Sequence, residues 1–458
     1  MKQSGTAALA AIATPSDRLA VENGELTVDG QRATDLVARF GSPLYVTVED
    51  TLRENYRRIE RAFAERWSAP VTVMYAVKAN STLAIRAVMS SEGAGGDCFG
   101  LGELHAAFAT RTDPRRIVMN GSNKSGAEID AAVRADIILN VDSTEEIAQI
   151  EACASDCGRR ARVNVRLKVL PPELDRFGGE FFRSADGALA AVRRSKWGFT
   201  TPEAARLVRQ LSNGPRLDLL GYSCHVGRFT NAPEAFAIVC RSIGAAAAEI
   251  HRETGFWPRM IDIGGGWPRQ REPESRAPAL NPHPIENYAS AAASALAEGL
   301  AAGNRPLPEL WLEPGRYIVG NAVLMLATVG AIKRDADRVW VHVDACTNHL
   351  MRIDTSASWH HILPANRMDA PPTEIVDIVG STCIPSVLGT DRSMPALQAG
   401  DIVAILDTGM YADAISNQFN GVPRPATVLI GNGDVAVIKR RETIDDLFSR
   451  DVIPPRLA

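Results

Sequence analysis

The sequence predicts an α/β protein: a (β/α)8 TIM-type barrel followed by an all-β C-terminal domain. Three observations predict it. The chain has 458 residues, more than a single hydrophobic core usually organises, so two domains are expected. From about residue 70, short β-rich apolar runs alternate with stretches of helical periodicity for eight cycles. After Arg316 the alternation stops, and short strands separated by Gly, Pro, Asn and Asp turns take over.

The eight predicted barrel strands are Val71–Val77, Gly96–Phe99, Arg116–Asn120, Asp136–Val141, Arg162–Lys168, Asp218–Cys224, Met260–Ile263 and Leu310–Glu313. Most are apolar on both faces, as parallel strands covered by helices must be. The second has the weakest strand composition. Between the strands, Thr82–Ser91, Glu103–Ala109, Glu145–Ala154, Pro202–Leu211, Ala232–Glu253 and Ile285–Ala302 carry amphipathic helical spacing. The later strands are Ala322–Ile332, Val339–Val343, Thr373–Val379, Ile402–Leu406, Pro425–Ile430 and Val435–Lys439. Leu19–Val46 reads as a strand and a helix outside the barrel. The expected division is therefore a segment 1–46 that completes the β domain, a barrel over 47–320, and the β domain over 321–458.

Composition bounds the function. Hydrophobic residues make up 45% and charged residues 23%, a globular profile, and the net charge of -4 is spread without a basic face or tail. That argues against nucleic acid and membrane surfaces as partners and favours a small-molecule ligand. Seven cysteines include Cys153 and Cys157, four apart, but no second pair or histidine cluster completes a metal site. Reduced thiols in a cytoplasmic protein are expected. Ala7–Ala13 is too short and alanine-rich for a secretory signal core, and no apolar run reaches membrane-spanning length.

A barrel gathers its active site at the C-terminal ends of its strands. Just past those ends stand Lys78 after the first, Asn120 at the third, His225 after the sixth, Gly264-Gly265-Gly266 after the seventh, and Glu313 with Arg316 at the eighth. A lysine at the end of a buried strand is partly desolvated, which lowers its pKa and favours reaction with an aldehyde. Three glycines leave backbone N–H groups accessible to a phosphate. A carboxylate such as Glu313 can keep a pyridine nitrogen protonated, which makes the ring a strong electron sink. Taken singly, Lys78 could be a solvated charge, His225 a satisfied core histidine, the glycines an ordinary turn and Glu313–Arg316 a salt bridge. Together they read as a site.

These residues carry a resemblance. Tyr75–Asn80, Gly221–Gly227, Asp262–Pro268, Glu313–Arg316, Cys383 and Asp407–Tyr411 resemble the fold-type III pyridoxal-phosphate decarboxylases, the group of diaminopimelate and ornithine decarboxylases, whose barrel is alanine racemase-like. The stretches Asp97–Leu104, Gly121–Ser125, Asn140–Glu146 and Ser195–Phe199 match further parts of the pattern, from about Leu36 to beyond Lys439. The resemblance implies pyridoxal 5'-phosphate as cofactor, carried covalently on Lys78. It implies that His225 stacks on the ring, Glu313 pairs with its nitrogen, Asp97 belongs to the cofactor site, and Gly264, Gly265, Gly266, Arg316 and Tyr411 surround the phosphate. Cys383, from the partner subunit of a homodimer with shared active sites, would help protonate the product carbanion, and Arg352 would contact substrate. Glu313 also favours decarboxylation over racemisation, because the related racemases place an arginine there and weaken the electron sink.

Two departures bear on substrate. The family has an acid after the cysteine that binds a distal ammonium, whereas this chain reads Cys383-Ile384-Pro385-Ser386-Val387-Leu388, without an acid and one residue shorter. A buried unpaired ammonium beside Ile384 would cost roughly several kcal/mol. Arg228 stands where the family often has serine, and could grip the phosphate or an anionic part of the substrate. Unless another acid such as Asp354 takes over the distal ammonium, both point to a modified or conjugated amino acid in specialised biosynthesis of the siderophore or antibiotic type. Diaminopimelate, D- or L-ornithine or lysine decarboxylation, a racemase or epimerase, and a non-catalytic binding paralogue stay open as alternatives.

Overall fold

A computed structural model describes residues 3–177, 187–225, 227, 231–272 and 280–457. The chain divides into two compact units, one of Arg53–Gln270 and Asn281–Ile318, the other of Met1–Leu52, Arg271–Leu280 and Val319–Ala458.

The first unit is a closed barrel of eight parallel strands: β1 (Val71–Ala76), β2 (Gly95–Cys98), β3 (Ile117–Met119), β4 (Ile138–Val141), β5 (Ala161–Arg166), β6 (Leu217–Ser223), β7 (Met260–Asp262) and β8 (Glu309–Leu312). Each pairs with its sequence neighbour, and β8 closes on β1 through Leu310–Leu312 against Val71–Val73. The fold class expected from sequence is the one observed. Side chains alternate across each strand, so the inward set is readable by counting in twos. Met74, Val118, Ile138, Leu220, Met260 and Trp311 form one buried apolar cluster at a single level of the barrel. Two residues further along four of those strands stand Asn120, Asn140, Asp262 and Glu313, on the same face one layer higher. An apolar floor thus carries a polar layer.

Strand β2 is short of side chains because its neighbour leaves no room for them. A Cβ on Gly95 would collide with the carbonyl oxygen of Arg116 on the approach to β3. Gly126–Arg134, a helix the sequence reading does not mark, is fixed at its start by a capping box, Ser125 receiving the Glu128 amide and Glu128 receiving that of Ser125.

The second unit is built on the strand Val323–Arg334. It pairs with Leu44–Val48, Val339–Val343 and Ile402–Ile405 in turn, and Ala426–Gly431 extends the sheet from Leu44–Val48. Leu19–Glu22 and Glu25–Val28 form a hairpin where the sequence suggested one strand. Residues Gly5–Ile12 form a helix whose Leu9 and Ile12 join Leu26, Leu326 and Val428 in one core. Val387–Met394 is a strand that the sequence hid. Its pairing with Glu374–Val379 is broken by register shifts, and Asp391 adopts positive φ, so the period of two is interrupted.

Burial lowers the pKa of three histidines of this unit, His349, His360 and His361. Burial pulls His349 and His361 down to about 4, the first also receiving the Cys346 amide at 3.3 Å on Nδ1. Their folded pKa lies below the unfolded value, so their contribution is intact above about pH 6.5 and is lost as pH falls towards 4. Denaturation at pH 7 and pH 5 should show a loss of roughly 2 kcal/mol per histidine at the lower pH. A His349→Gln/His361→Gln variant that weakens just as steeply with acid would contradict this account.

Candidate active site

The first barrel strand ends at Ala76, and the turn Val77–Ala79 carries Lys78 off its tip. The turn is held by Tyr75, whose hydroxyl donates to the Asn80 carbonyl at 2.7 Å, and by the Ala76 amide donating to the Pro314 carbonyl at 3.1 Å. Lys78 Nζ donates to Asp97 Oδ2 and lies 4.7 Å from the centre of the Phe99 ring. Asp97 is fully buried on β2. Its other oxygen accepts from Asn120 Nδ2 at 2.8 Å, and the same amide donates to Glu313 Oε1 at 2.7 Å. One asparagine therefore ties together the carboxylates that flank the lysine and end the eighth strand.

Glu313 is buried, and burial together with the charge of Asp97 raises its pKa, while Lys78, Arg166 and the Asn120 bond oppose the rise. Behind it, Asp262 is pushed well above the usual carboxylate range by burial and by Glu313. His225 is pulled down to about 3, first by desolvation and then by Lys78 and Arg166. It is a neutral ring, and its Nδ1 accepts the Gly265 amide at 3.2 Å.

The glycine run is a close-packed loop. Gly264 and Gly266 have positive φ of 74° and 87°. A Cβ on Gly264 would stand 2.9 Å from that of His225, and one on Gly265 would collide with the Glu313 carbonyl. Two of its three amides are already engaged, that of Gly264 donating to Asp262 Oδ1 at 2.8 Å and that of Gly265 to His225. The bare backbone therefore serves packing against His225 and Glu313 as much as access for a ligand. Arg316 is buried just beyond, and its charge is among those felt at His225.

The second unit carries the remaining candidates. The Arg352 guanidinium stacks 5.1 Å from the Tyr411 ring centre, and Tyr411 adopts φ 50°. Both line a small recess with Ser358 and His360. Cys383 and Ile384 are exposed, and the Cys383 amide donates to Asn420 Oδ1 at 2.9 Å. Arg228 lies outside the described residues.

Sequence reasoning placed Lys78, Asp97, Asn120, His225, the glycines, Glu313 and Arg316 in the barrel unit, and the structure gathers them at the ends of its strands. It missed Asp262, Asn140 and Asn164 as polar members of the barrel interior. The signal was present for Asn140 and Asp262, each the one polar residue in an otherwise apolar, fully buried strand. It also missed Glu103, raised to about 7 mainly by burial, which accepts the Phe99 amide at 2.7 Å and so shapes the wall beside Lys78.

An amine beside a buried carboxylate, a second carboxylate fixed by the same amide, a neutral imidazole and a side-chain-free loop fit an aldehyde cofactor that bears a basic ring nitrogen and a phosphate. A barrel with that donor set defines the class, a cofactor-dependent enzyme acting on amino acids. The family model for pyridoxal-dependent decarboxylase, pyridoxal binding domain, matches residues 49–320. The chain belongs to this family and is a pyridoxal-phosphate-dependent carboxy-lyase of the diaminopimelate and ornithine decarboxylase group. It is 34% identical over 438 residues to diaminopimelate decarboxylase of Methanothermobacter thermautotrophicus, covering 95% of this chain and 97% of the relative. It is 32% identical over 442 residues to that of Archaeoglobus fulgidus, covering 94% and 98%. The crystal structure of diaminopimelate decarboxylase from M. jannaschii in complex with L-lysine superposes with a TM-score of 0.86 at 28% identity, covering 97% of this chain and 99% of the other.

The loop geometry makes a direct prediction. Gly265→Ala should lower stability by about 2 kcal/mol or more and weaken cofactor binding, because neither backbone can yield. Gly102→Ala, with no atom within 4 Å of the new methyl, should be neutral or slightly stabilising. Thermal unfolding and cofactor titration of the two variants check this. Equal behaviour would refute the close-packing argument.

Proposed function

We propose that this chain removes the α-carboxylate of diaminopimelate or a close diamino-acid analogue, with pyridoxal phosphate held on Lys78. The observation that carries the catalytic half is the Lys78–Asp97–Asn120–Glu313 network, which joins an amine and two carboxylates through one amide. The substrate half draws on the relatives, which are named diaminopimelate decarboxylases and match at 30–34% identity over at least 93% of this chain. The specialised, conjugated substrate expected from the Cys383–Leu388 stretch finds no support among them.

The chemistry the cofactor supplies when bound is a sink for the electron pair left as CO2 departs. Every other role falls to this chain. Lys78 carries the cofactor through its ε-amine, and Asp97 accepts that amine's proton bond. Glu313 would pair with the ring nitrogen. His225, neutral at all working pH, offers a flat uncharged face to the ring. The glycine loop and Arg316 would hold the phosphate. Arg352 orients the substrate, and Cys383 delivers a proton to the α-carbon.

Cys383 acts from the partner subunit of a homodimer in this reading. Its exposure supports that, as do the exposed apolar residues Ile444, Phe448, Val452, Ile453 and Leu457 at the C-terminal end. The seven free cysteines suit a cytoplasmic protein, and among the described residues no helix is long and apolar enough to cross a membrane.

One observation favours a second reading. No acid stands between Cys383 and Leu388, so the distal end of the substrate would be neutral, anionic or conjugated. A mass-spectrometric decarboxylation screen separates the two, with Lys78→Ala as the blank. Diaminopimelate should be consumed at least about a thousandfold faster than by the blank. Faster turnover of an acidic or conjugated amino acid would replace the first reading by the second. For the dimer, mixing inactive Lys78→Ala and Cys383→Ala chains should restore up to about a quarter of parental activity, since half the dimers are mixed and each holds one complete site. No recovery on mixing would place both residues in one subunit's site.

A further inference from the structure

The amide of Asn120 is the last of three. Asn164 Nδ2 on β5 donates to Asn140 Oδ1 on β4 at 3.0 Å, and Asn140 Nδ2 donates to Asn120 Oδ1 at 2.8 Å. Asn120 Nδ2 then donates to Asp97 and Glu313. All three asparagines are buried. A side-chain amide has one accepting and one donating end, so the direction of such a chain is set by its termini. At one terminus are two carboxylates, which can only accept when ionised. At the other, Asn164 Oδ1 is buried with no hydrogen-bond partner, and its nitrogen contacts Met260 Sδ at 3.7 Å. The free acceptor and the doubly engaged donor sit at opposite ends. The amide dipoles therefore run head to tail with their positive ends towards the carboxylates, as at a helix N-terminus.

The middle of the chain is anchored by another buried ion. Lys124 Nζ donates to the Asn140 carbonyl at 2.6 Å, to that of Gly121 at 2.9 Å and to Glu146 Oε2 at 2.9 Å. This ties the backbones next to Asn120 and at Asn140 together, which keeps the two side chains in register.

We propose that Asn140 and Asn164 are positioning residues that lock Asn120 with its donor end towards Asp97 and Glu313, and so favour the charged form of Glu313. Nothing in this role requires Asn140 or Asn164 to meet cofactor or substrate. The groups that face Glu313 are Asp97, Lys78, Arg166, Asn120, Asp262 and Cys224. Of these, only Asn120 is gripped by the relay. Were it to turn its carbonyl to the carboxylates, the dry interior would force a proton onto one of them. The link to catalysis rests on Glu313 pairing with the cofactor's ring nitrogen. The relay itself stands without it.

The test reads the carboxylate directly. Apoprotein labelled with side-chain carboxyl 13C glutamate is titrated by infrared spectroscopy, in parental, Asn140→Leu, Asn164→Leu and Asn140→Leu/Glu313→Gln forms. Leucine matches asparagine in size and removes the dipole. Asn140→Leu should move the midpoint of one buried glutamate upward by about one pH unit or more, and the affected band should vanish in the double variant. Asn164→Leu, at the far end, should move the same band in the same direction by less, and it decides the matter if the first variant does not fold. Cofactor affinity, measured by fluorescence quenching, should fall at pH below the raised midpoint and match the parent above it. Folded variants whose glutamate titration matches the parent overturn the proposal. Because the infrared titration needs neither cofactor nor substrate, failure to turn over diaminopimelate leaves its outcome untouched.

Discussion

Two carboxylates and a lysine share the dry upper layer of the barrel, and the rest of the site is arranged around keeping those charges where they are. Burying one carboxylate is costly, and burying two near each other is costlier, because each raises the other's affinity for a proton. Asp97 meets this cost by pairing with Lys78, and Glu313 by sharing Asn120 with Asp97. Asp262 accepts the Gly264 amide, yet burial and the charge of Glu313 still raise its pKa well above the usual carboxylate range.

The fold supplies this arrangement through period two alone. Once Met74, Val118, Ile138, Leu220, Met260 and Trp311 fill one level of the barrel, the next inward positions are dictated. The apolar floor excludes water from below, so the hydrogen bonds above it act at low dielectric. The glycines serve the same purpose at the rim. Gly264 and Gly265 let the backbone after the seventh strand lie against His225 and the Glu313 carbonyl. Any side chain there would push the last strand away and take Glu313 with it.

The barrel was legible in the sequence because its signal is redundant. Eight apolar runs at regular spacing mark the strands, and a reactive residue after several of them marks the rim. Gly95–Cys98 was the least legible strand, since its glycines reflect a close approach by Arg116 rather than a strand preference. Asn140, Asn164 and Asp262 went unread for a different reason. Their importance lies in who faces them, and facing partners come from strands far apart in sequence. The β unit was read less well where regular alternation fails. Val387–Met394 hides its strand behind register shifts, and Leu19–Val28 hides a hairpin behind the two-residue turn Asn23-Gly24.

The sequence argument about substrate turned on a cost that depends on water. An ammonium beside Ile384 loses several kcal/mol only if it is buried there, since the penalty is one of desolvation. In the single chain Ile384 is 36% exposed, and Cys383 beside it is exposed as well. An ammonium at this loop would keep much of its hydration, so the missing acid alone does not exclude a diamino acid. The exclusion becomes strong only when a second surface covers the loop and no carboxylate comes with it. Substrate choice for this chain would therefore turn on whether any surface buries Ile384 and, if one does, whether a carboxylate comes with it.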